Sequence, residues 1–255
     1  MFYIYNFLTN LLYPLLALFI YIRKLKGKED PTRYKEKISS KFFYINKSKS
    51  SKVIWFHAAS IGEMKSIIPI IVKLQRRKKN VKFLVTTITL SSANLFKERM
   101  KNIKNIYHRF LPLDVNFLVK DFIELWSPSA VFLVDSEIWP NLIINLKKKN
   151  IPIAIINARI TKKTFNKWMK IRNFSKELFS KFDLCLSSSK ESANFLKRLN
   201  AKNIKYLGNI KFSNSEQSKQ TVHKNLRKFF KKKKIWCASS THETEEVLCA
   251  LTHTN

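Results

Sequence analysis

The stretch Val53-Ile54-Trp55-Phe56-His57-Ala58-Ala59-Ser60-Ile61-Gly62-Glu63 decides how the chain folds. Its first half is a β-branched and aromatic run, the composition of a strand buried on both faces. Its second half is a turn of small residues that hands over to a helix opened by Glu63. The same alternation continues downstream. Apolar runs at 81–87, 106–111, 130–134, 153–156, 184–186 and 205–207 read as strands. Amphipathic stretches at 63–79, 91–100, 115–126, 139–149 and 191–199 read as helices. The pattern predicts an α/β fold, a doubly wound parallel sheet over residues 52–212.

Outward from this domain the composition changes. Residues 1–22 carry no charged side chain, and as a helix they span about 33 Å, the thickness of a bilayer core. Tyr3, Tyr5, Tyr13 and Tyr21 suit the headgroup level, and Arg23, Lys24, Lys26 and Lys28 follow at once. The expectation is an amino-terminal membrane-anchor helix over 1–22, with the chain after it on the cytoplasmic side. A cleaved signal peptide, which fits less well because no basic residue precedes the run and no Ala-x-Ala site follows it, a shallow interfacial anchor kinked at Pro14 and a buried core helix are the alternatives. Residues 23–51 read as a basic connector with a short helix. Residues 213–255 read as a linker, a basic helix, a strand at 235–238 and a helix from Glu243. The expectation is the start of a second α/β domain, incomplete in this sequence.

The formal charge is +32, from 49 basic and 17 acidic residues. An anionic membrane surface, an anionic substrate or a lysine-rich composition throughout the chain accounts for it. Nucleic acid is the weakest partner, because no arginine-rich arm or aromatic RNA-binding signature is present. The three cysteines lack CxxC spacing, and the histidines form no HxxxH pair, so no metal is expected. With glycine only at positions 27, 62 and 208, neither glycine-rich phosphate loop is possible.

In a parallel sheet, ligands bind beyond the carboxyl ends of the strands. Four such ends are polar here. The first carries Ser60, Gly62 and Glu63, and Glu63 serves either as a helix-terminal carboxylate or as a general base. The second ends in Thr86-Thr87-Ile88-Thr89, whose hydroxyls bind a sugar or cap the next helix. The fourth runs into Asp135-Ser136-Glu137-Ile138-Trp139-Pro140-Asn141, where carboxylates beside a tryptophan suit a sugar and a capping box is the alternative. The fifth ends in Asn157-Ala158-Arg159, and its arginine clamps an anion or forms a surface ion pair.

Taken with Gly27-Lys28-Glu29-Asp30, Arg33-Tyr34, Pro112-Leu113-Asp114, Leu207-Gly208-Asn209-Ile210-Lys211-Phe212 and Ala238-Ser239-Ser240-Thr241-His242-Glu243, these segments stand in an order that resembles the 3-deoxy-D-manno-octulosonic acid (Kdo) transferases. These are glycosyltransferases of the GT-B class. The resemblance implies two Rossmann-like domains with the site in the cleft between them and a tethered amino terminus. It implies transfer of Kdo from CMP-Kdo to a lipid A precursor (lipid IVA) at the inner membrane, in lipopolysaccharide assembly, by an inverting mechanism with no cofactor. It makes Glu63 the base. Ser60, Gly62, Thr87, Glu137, Trp139, Asn157 and Arg159 fall on the acceptor or sugar side, and Lys211, Ser240, Thr241 and His242 on the donor phosphate. Thr161, Thr164, Ser213 and Thr244 depart from the family's usual residues. The resemblance leads to the expectation that the chain carries only the opening part of a donor-binding domain. The alternative function is an inactive or split fragment that serves only as a membrane-bound acceptor-binding module.

Overall fold

The computed structural model describes residues 1–43, 52–78, 80–212, 230–231 and 237–254. The chain divides into two units, Met1–Asn214 and Ser215–Asn255.

The first unit holds seven parallel strands: β1 (Lys52–His57), β2 (Val81–Thr87), β3 (Ile106–Phe110), β4 (Ala130–Val134), β5 (Ile153–Ala158), β6 (Leu184–Ser187) and β7 (Ile204–Tyr206). Their order across the sheet is β3-β2-β1-β4-β5-β6-β7. The order reverses between β1 and β4, which makes that gap the switch point where an open α/β sheet leaves a crevice. Helices α3 (Ile61–Arg77), α4 (Leu90–Met100), α5 (Asn116–Trp126), α6 (Pro140–Lys148), α7 (Lys162–Met169), α8 (Arg172–Phe179) and α9 (Lys190–Arg198) join the strands. The doubly wound α/β sheet is therefore as expected.

Alternate residues of the strands feed two cores, one on each face of the sheet. Trp55, Leu84, Val131, Leu133, Ile153 and Ile155 pack into the larger core, with α5 and α6 supplying Phe122, Trp126, Leu142 and Leu146. Phe56, Phe83, Val85, Val134 and Ile156 point the other way, against Met64, Ile67 and Ile71 of α3. Truncating a side chain buried as deeply as Trp55 costs about 3–5 kcal/mol.

The amino terminus differs from the single helix expected over 1–22. It forms two helices, α1 (Phe2–Leu11) and α2 (Tyr13–Leu25), bent by 55°. Pro14 sits in the first turn of α2, where its missing N–H and its ring break the run. Among the described residues no single helix is long and apolar enough to cross a membrane, although the bent pair passes the length and composition test together. One face of the pair packs on the larger core through Phe2, Tyr13 and Leu16. The other leaves Tyr3, Phe7, Leu11, Leu15, Leu18 and Phe19 exposed.

The stretch after α2 is part of the packed unit. Glu29, Glu36 and Lys37 are buried. Lys37 Nζ pairs with Glu29 and donates to the Ile88 carbonyl at 2.7 Å, while Arg23 Nε reaches Glu29 Oε1 at 2.7 Å. Glu36 accepts from the Phe110 amide at 2.8 Å and from Arg33. Three buried charges thus find partners, the condition for burying them at all.

The second unit contains a helix at Glu243–Thr254. The expected linker at 213–220 and the basic helix up to residue 229 lie outside the described residues, as does the first half of the strand expected at 235–238. Cys237 and Ala238 are not in a strand.

Candidate active site

Glu63 enters the site through helix initiation. Ser60 caps α3, and its Oγ accepts from the Glu63 amide at 3.3 Å. The side chain of Glu63 folds back, taking the Ser60 hydroxyl on Oε1 at 2.7 Å and the Ala59 amide on Oε2 at 2.8 Å. The arrangement is a variant of the capping box. Burial pushes the Glu63 carboxyl up from the ordinary range. The Ser60 and Ala59 hydrogen bonds oppose that shift, and the charges of Glu137 and Asp135 add to it. Gly62 has a helical φ, and a Cβ there would meet Lys211 Cε and Ser60 Oγ at 4.0 Å. Those are ordinary van der Waals distances, so neither sterics nor a special turn requires glycine here.

Glu137 lies after β4 on the other side of the switch point. Its Oε2 accepts from Trp139 Nε1 at 2.9 Å and faces His57 Nε2 at 3.3 Å. A carboxylate only accepts, so His57 Nε2 carries a hydrogen. His57 Nδ1 lies 2.9 Å from Thr86 Oγ1, which also receives Trp55 Nε1–H at 2.8 Å. A buried line of hydrogen bonds thus runs from Trp55 under β1 and β2 to the rim. The sequence reading passed over His57 as a site residue. Its place at the carboxyl end of β1 was the available signal.

Two residues at strand ends adopt left-handed backbone: Asp135 with φ 63° and Asn157 with φ 57°. Aspartate and asparagine tolerate that region best among residues with a Cβ. Asn157 sits where the β5–β6 register shifts, and its Oδ1 accepts from the Ile210 amide at 3.1 Å. Lys211 follows, and its ammonium reaches Asp135 Oδ2 at 2.7 Å. The segment after β7 is thereby tied across the rim, close to Gly62. Asp135 is one of the two carboxylates that the fourth strand end offers in the sequence, and its pairing with Lys211 is what the fold adds.

Ser60, Gly62, Glu63, Glu137, Trp139, Asn157 and Lys211 therefore gather at the carboxyl ends of β1, β4 and β5. Arg159 is exposed beside them, and its guanidinium makes no hydrogen bond or ion pair among the described residues. Thr87 is placed differently. It is fully buried, and its Oγ1 lies 2.9 Å from His108 Nε2, facing into the fold. His108 Nδ1 faces Arg33 Nη2 at 3.0 Å. Arginine only donates, so the hydrogen is on Nε2, and burial followed by the Arg33 charge pushes His108 down to about 3.

Ser240, Thr241 and His242 belong to the second unit. They precede its helix, and Ser240 has φ 59°. The His242 amide donates to Glu245 Oε2 at 3.1 Å and Thr241 Oγ1 to Glu246 Oε1 at 3.2 Å.

The family model described as 3-deoxy-D-manno-octulosonic-acid transferase (kdotransferase) matches residues 36–214. A 3-deoxy-D-manno-octulosonic acid transferase of Rickettsia bellii is 33% identical over 249 residues, which is 96% of this chain and 58% of that protein. The Haemophilus influenzae transferase is 28% identical, over 98% of this chain and 58% of its own length. A probable mitochondrial one from Arabidopsis thaliana is 31% identical, over 95% and 55%. The chain thus spans somewhat more than half the length of these relatives. Among solved structures, the UDP-GlcNAc 2-epimerase of Neisseria meningitidis aligns over 71% of this chain and 54% of its own, with TM-score 0.48 and 15% identity. MurG of Acinetobacter baumannii aligns over 62% and 67%, with TM-score 0.34 and 12% identity. With the family match running over most of the doubly wound unit and the motifs standing at its rim, the chain belongs to the 3-deoxy-D-manno-octulosonic acid transferase family.

Proposed function

We propose that this chain is the acceptor-binding, base-carrying half of a Kdo transferase of lipopolysaccharide biosynthesis, and that Glu63 is its general base. In this reading Kdo passes from CMP-Kdo to a lipid A precursor. The reading is carried by one observation: a buried carboxylate, held at both oxygens at the carboxyl end of β1 and within reach of the charges of Glu137 and Asp135, has its proton affinity raised. A base works best when its pKa lies near the working pH. Attack by an acceptor hydroxyl on the anomeric carbon of the donor releases a proton, and Glu63 takes it. One-step displacement inverts the anomeric centre.

Glu137, Trp139, Asn157 and Arg159 are assigned to the acceptor. An indole face beside a carboxylate suits a sugar ring, and a free guanidinium suits an acceptor phosphate. Lys211 on the rim, and Ser240, Thr241 and His242 before a helix N-terminus, are assigned to the donor phosphate, where they offset negative charge on the leaving group. No cofactor is needed for this chemistry.

The bent helix pair is assigned to the inner membrane, with the catalytic domain on the cytoplasmic side. Its exposed apolar face and the basic residues Arg23, Lys24, Lys26 and Lys28 support an anionic lipid surface as the partner.

A second reading is a membrane-bound acceptor-binding module without chemistry of its own, supported by the exposed apolar face of the helix pair beside the polar rim of the first unit. A transferase assay with CMP-Kdo and lipid IVA separates the two. It is run on this chain alone and with the carboxy-terminal portion of a relative supplied separately. Transfer in either format supports the enzyme. Tight lipid IVA binding with no transfer in both supports the module.

A further inference from the structure

Helix α6 begins immediately after Glu137-Ile138-Trp139, and it has no cap of its own. Trp139 occupies the N-cap, where its side chain caps none of the helix amides, and Pro140 has no N–H. Two first-turn amides remain, those of Asn141 and Leu142. Both are satisfied from another part of the chain. Asn141 N donates to Asp114 Oδ2 at 3.0 Å and Leu142 N to Asp114 Oδ1 at 2.9 Å.

The same carboxylate is held from the amino terminus. Tyr5 of α1 donates its hydroxyl to Asp114 Oδ2 at 2.9 Å. One turn on, Thr9 Oγ1 accepts from Asn141 Nδ2 at 3.1 Å, and that amide also donates to the Asp114 carbonyl. Tyr5 and Thr9 are four residues apart and share one face of α1. Asn141 is fully buried, and its Oδ1 has no partner among the described residues. Its orientation is therefore set by the two groups that take its amide hydrogens. Asp114 and Trp139 also line one narrow crevice, with Trp55 and Leu142.

We propose that Asp114 is a positioning residue that ties the docking of α1 to the placement of Trp139 and Glu137 at the rim. The helix pair is then part of the acceptor site's framework as well as a tether. Releasing Tyr5 or Thr9 loosens the first turn of α6, and the indole that holds Glu137 moves with it. The consequence for acceptor binding rests on the function proposed above. The coupling itself does not.

The test is the indole N–H resonance of Trp139, which reports its hydrogen bond to Glu137. It is recorded on the full chain in lipid nanodiscs with 15N-labelled tryptophan and assigned through Trp139→Phe. Tyr5→Phe and Thr9→Val remove one hydroxyl each and keep the volume. Both are expected to move the Trp139 signal by more than its linewidth, leave the Trp168 signal in place, and leave the thermal unfolding midpoint nearly unchanged. Tyr3→Phe, on the exposed side of α1, is expected to move nothing. Asp114→Asn is expected to give the largest shift; should it fail to fold, the two hydroxyl variants still decide. An unmoved Trp139 signal in folded Tyr5→Phe and Thr9→Val overturns the coupling. The readout needs no substrate, so a chain without transferase activity leaves this result standing.

Discussion

Ser60 and Glu63 hold each other in both directions: the Ser60 hydroxyl donates to Glu63 Oε1 at 2.7 Å, and the Glu63 amide donates to Ser60 Oγ at 3.3 Å. One pair of residues thereby starts α3 and aims the proposed base. Ser60→Ala removes both bonds. The expected cost is about 1 kcal/mol of stability, the usual worth of an N-cap, read from urea unfolding. Losing the hydroxyl also removes one of the groups that lower the Glu63 pKa. The acidic limb of the pH–rate profile should therefore move to higher pH, since Glu63 must be ionised to act. A limb that stays in place detaches Ser60 from the base.

Lys211 and Asp135 form the tie across the rim at 2.7 Å, with side chains 33% and 11% exposed. Lys211→Met leaves Asp135 largely buried in left-handed backbone without its counter-ion. Partial exposure screens the pair, so the expected loss is about 1 kcal/mol. Asp135→Asn in the same chain should recover part of it. A double-mutant cycle on denaturation midpoints measures the coupling, and a coupling of zero contradicts the tie.

Two buried groups give pH effects of opposite sign. Asp114 is raised from 3.8 to about 6, chiefly by burial. Between those values the unfolded chain has released this proton while the folded chain keeps it, so this contribution to stability falls as pH rises from 3.8 to 6. His108 is lowered from 6.5 to about 3. There the unfolded chain takes up the proton first, so stability is full above pH 6.5 and falls as pH drops towards 3. In their shared window the two offset each other. His108→Gln should remove the rising part, so that stability declines more steeply from pH 4 to 6 than in the parent chain. Asp114→Asn should do the reverse. Chemical denaturation at pH 4.5 and pH 7 checks both, and parallel profiles for parent and variants refute the assignment.

The sheet was legible because its strands are near-continuous apolar runs. Val81–Thr87 and Ala130–Val134 match their predicted bounds, and the β1 turn into α3 falls where the small residues stand. Helices α7 and α8 were not marked out. Lysines dilute their pattern, and their buried faces come down to Phe165, Phe174, Leu178 and Phe179. Hydropathy located the apolar amino terminus and Pro14 marked its kink, but the docking of one face was not legible, because the polar groups of Tyr5, Thr9 and Tyr13 matter only once Asp114, Asn141 and the Ile38 carbonyl are beside them. The charged stretch after α2 reads as a connector in the sequence for the same reason. Glu29 and Lys37 are buried because they find each other across the turn.

The site was legible at strand ends and illegible in side-chain direction. Glu63, Glu137 and Asn157 fall on the rim because topology puts the ends of β1, β4 and β5 there. Thr87 ends a strand too, but its side chain is on the inward face of the pleat and meets His108. His57 shares a strand with the site and bonds to Glu137, a partner 80 residues away that only the folded sheet brings near.

The central claim is that Glu63 takes the acceptor's proton. The most direct measurement is single-turnover Kdo transfer by Glu63→Gln, with the carboxy-terminal portion supplied and CMP-Kdo and lipid IVA saturating. Glutamine keeps the volume, and its carbonyl oxygen still accepts from Ala59, so the variant should unfold within about 1 kcal/mol of the parent. Transfer should fall by about 10²–10⁴-fold with acceptor binding retained. Transfer within a few fold of the parent chain, by a folded Glu63→Gln protein, contradicts the account.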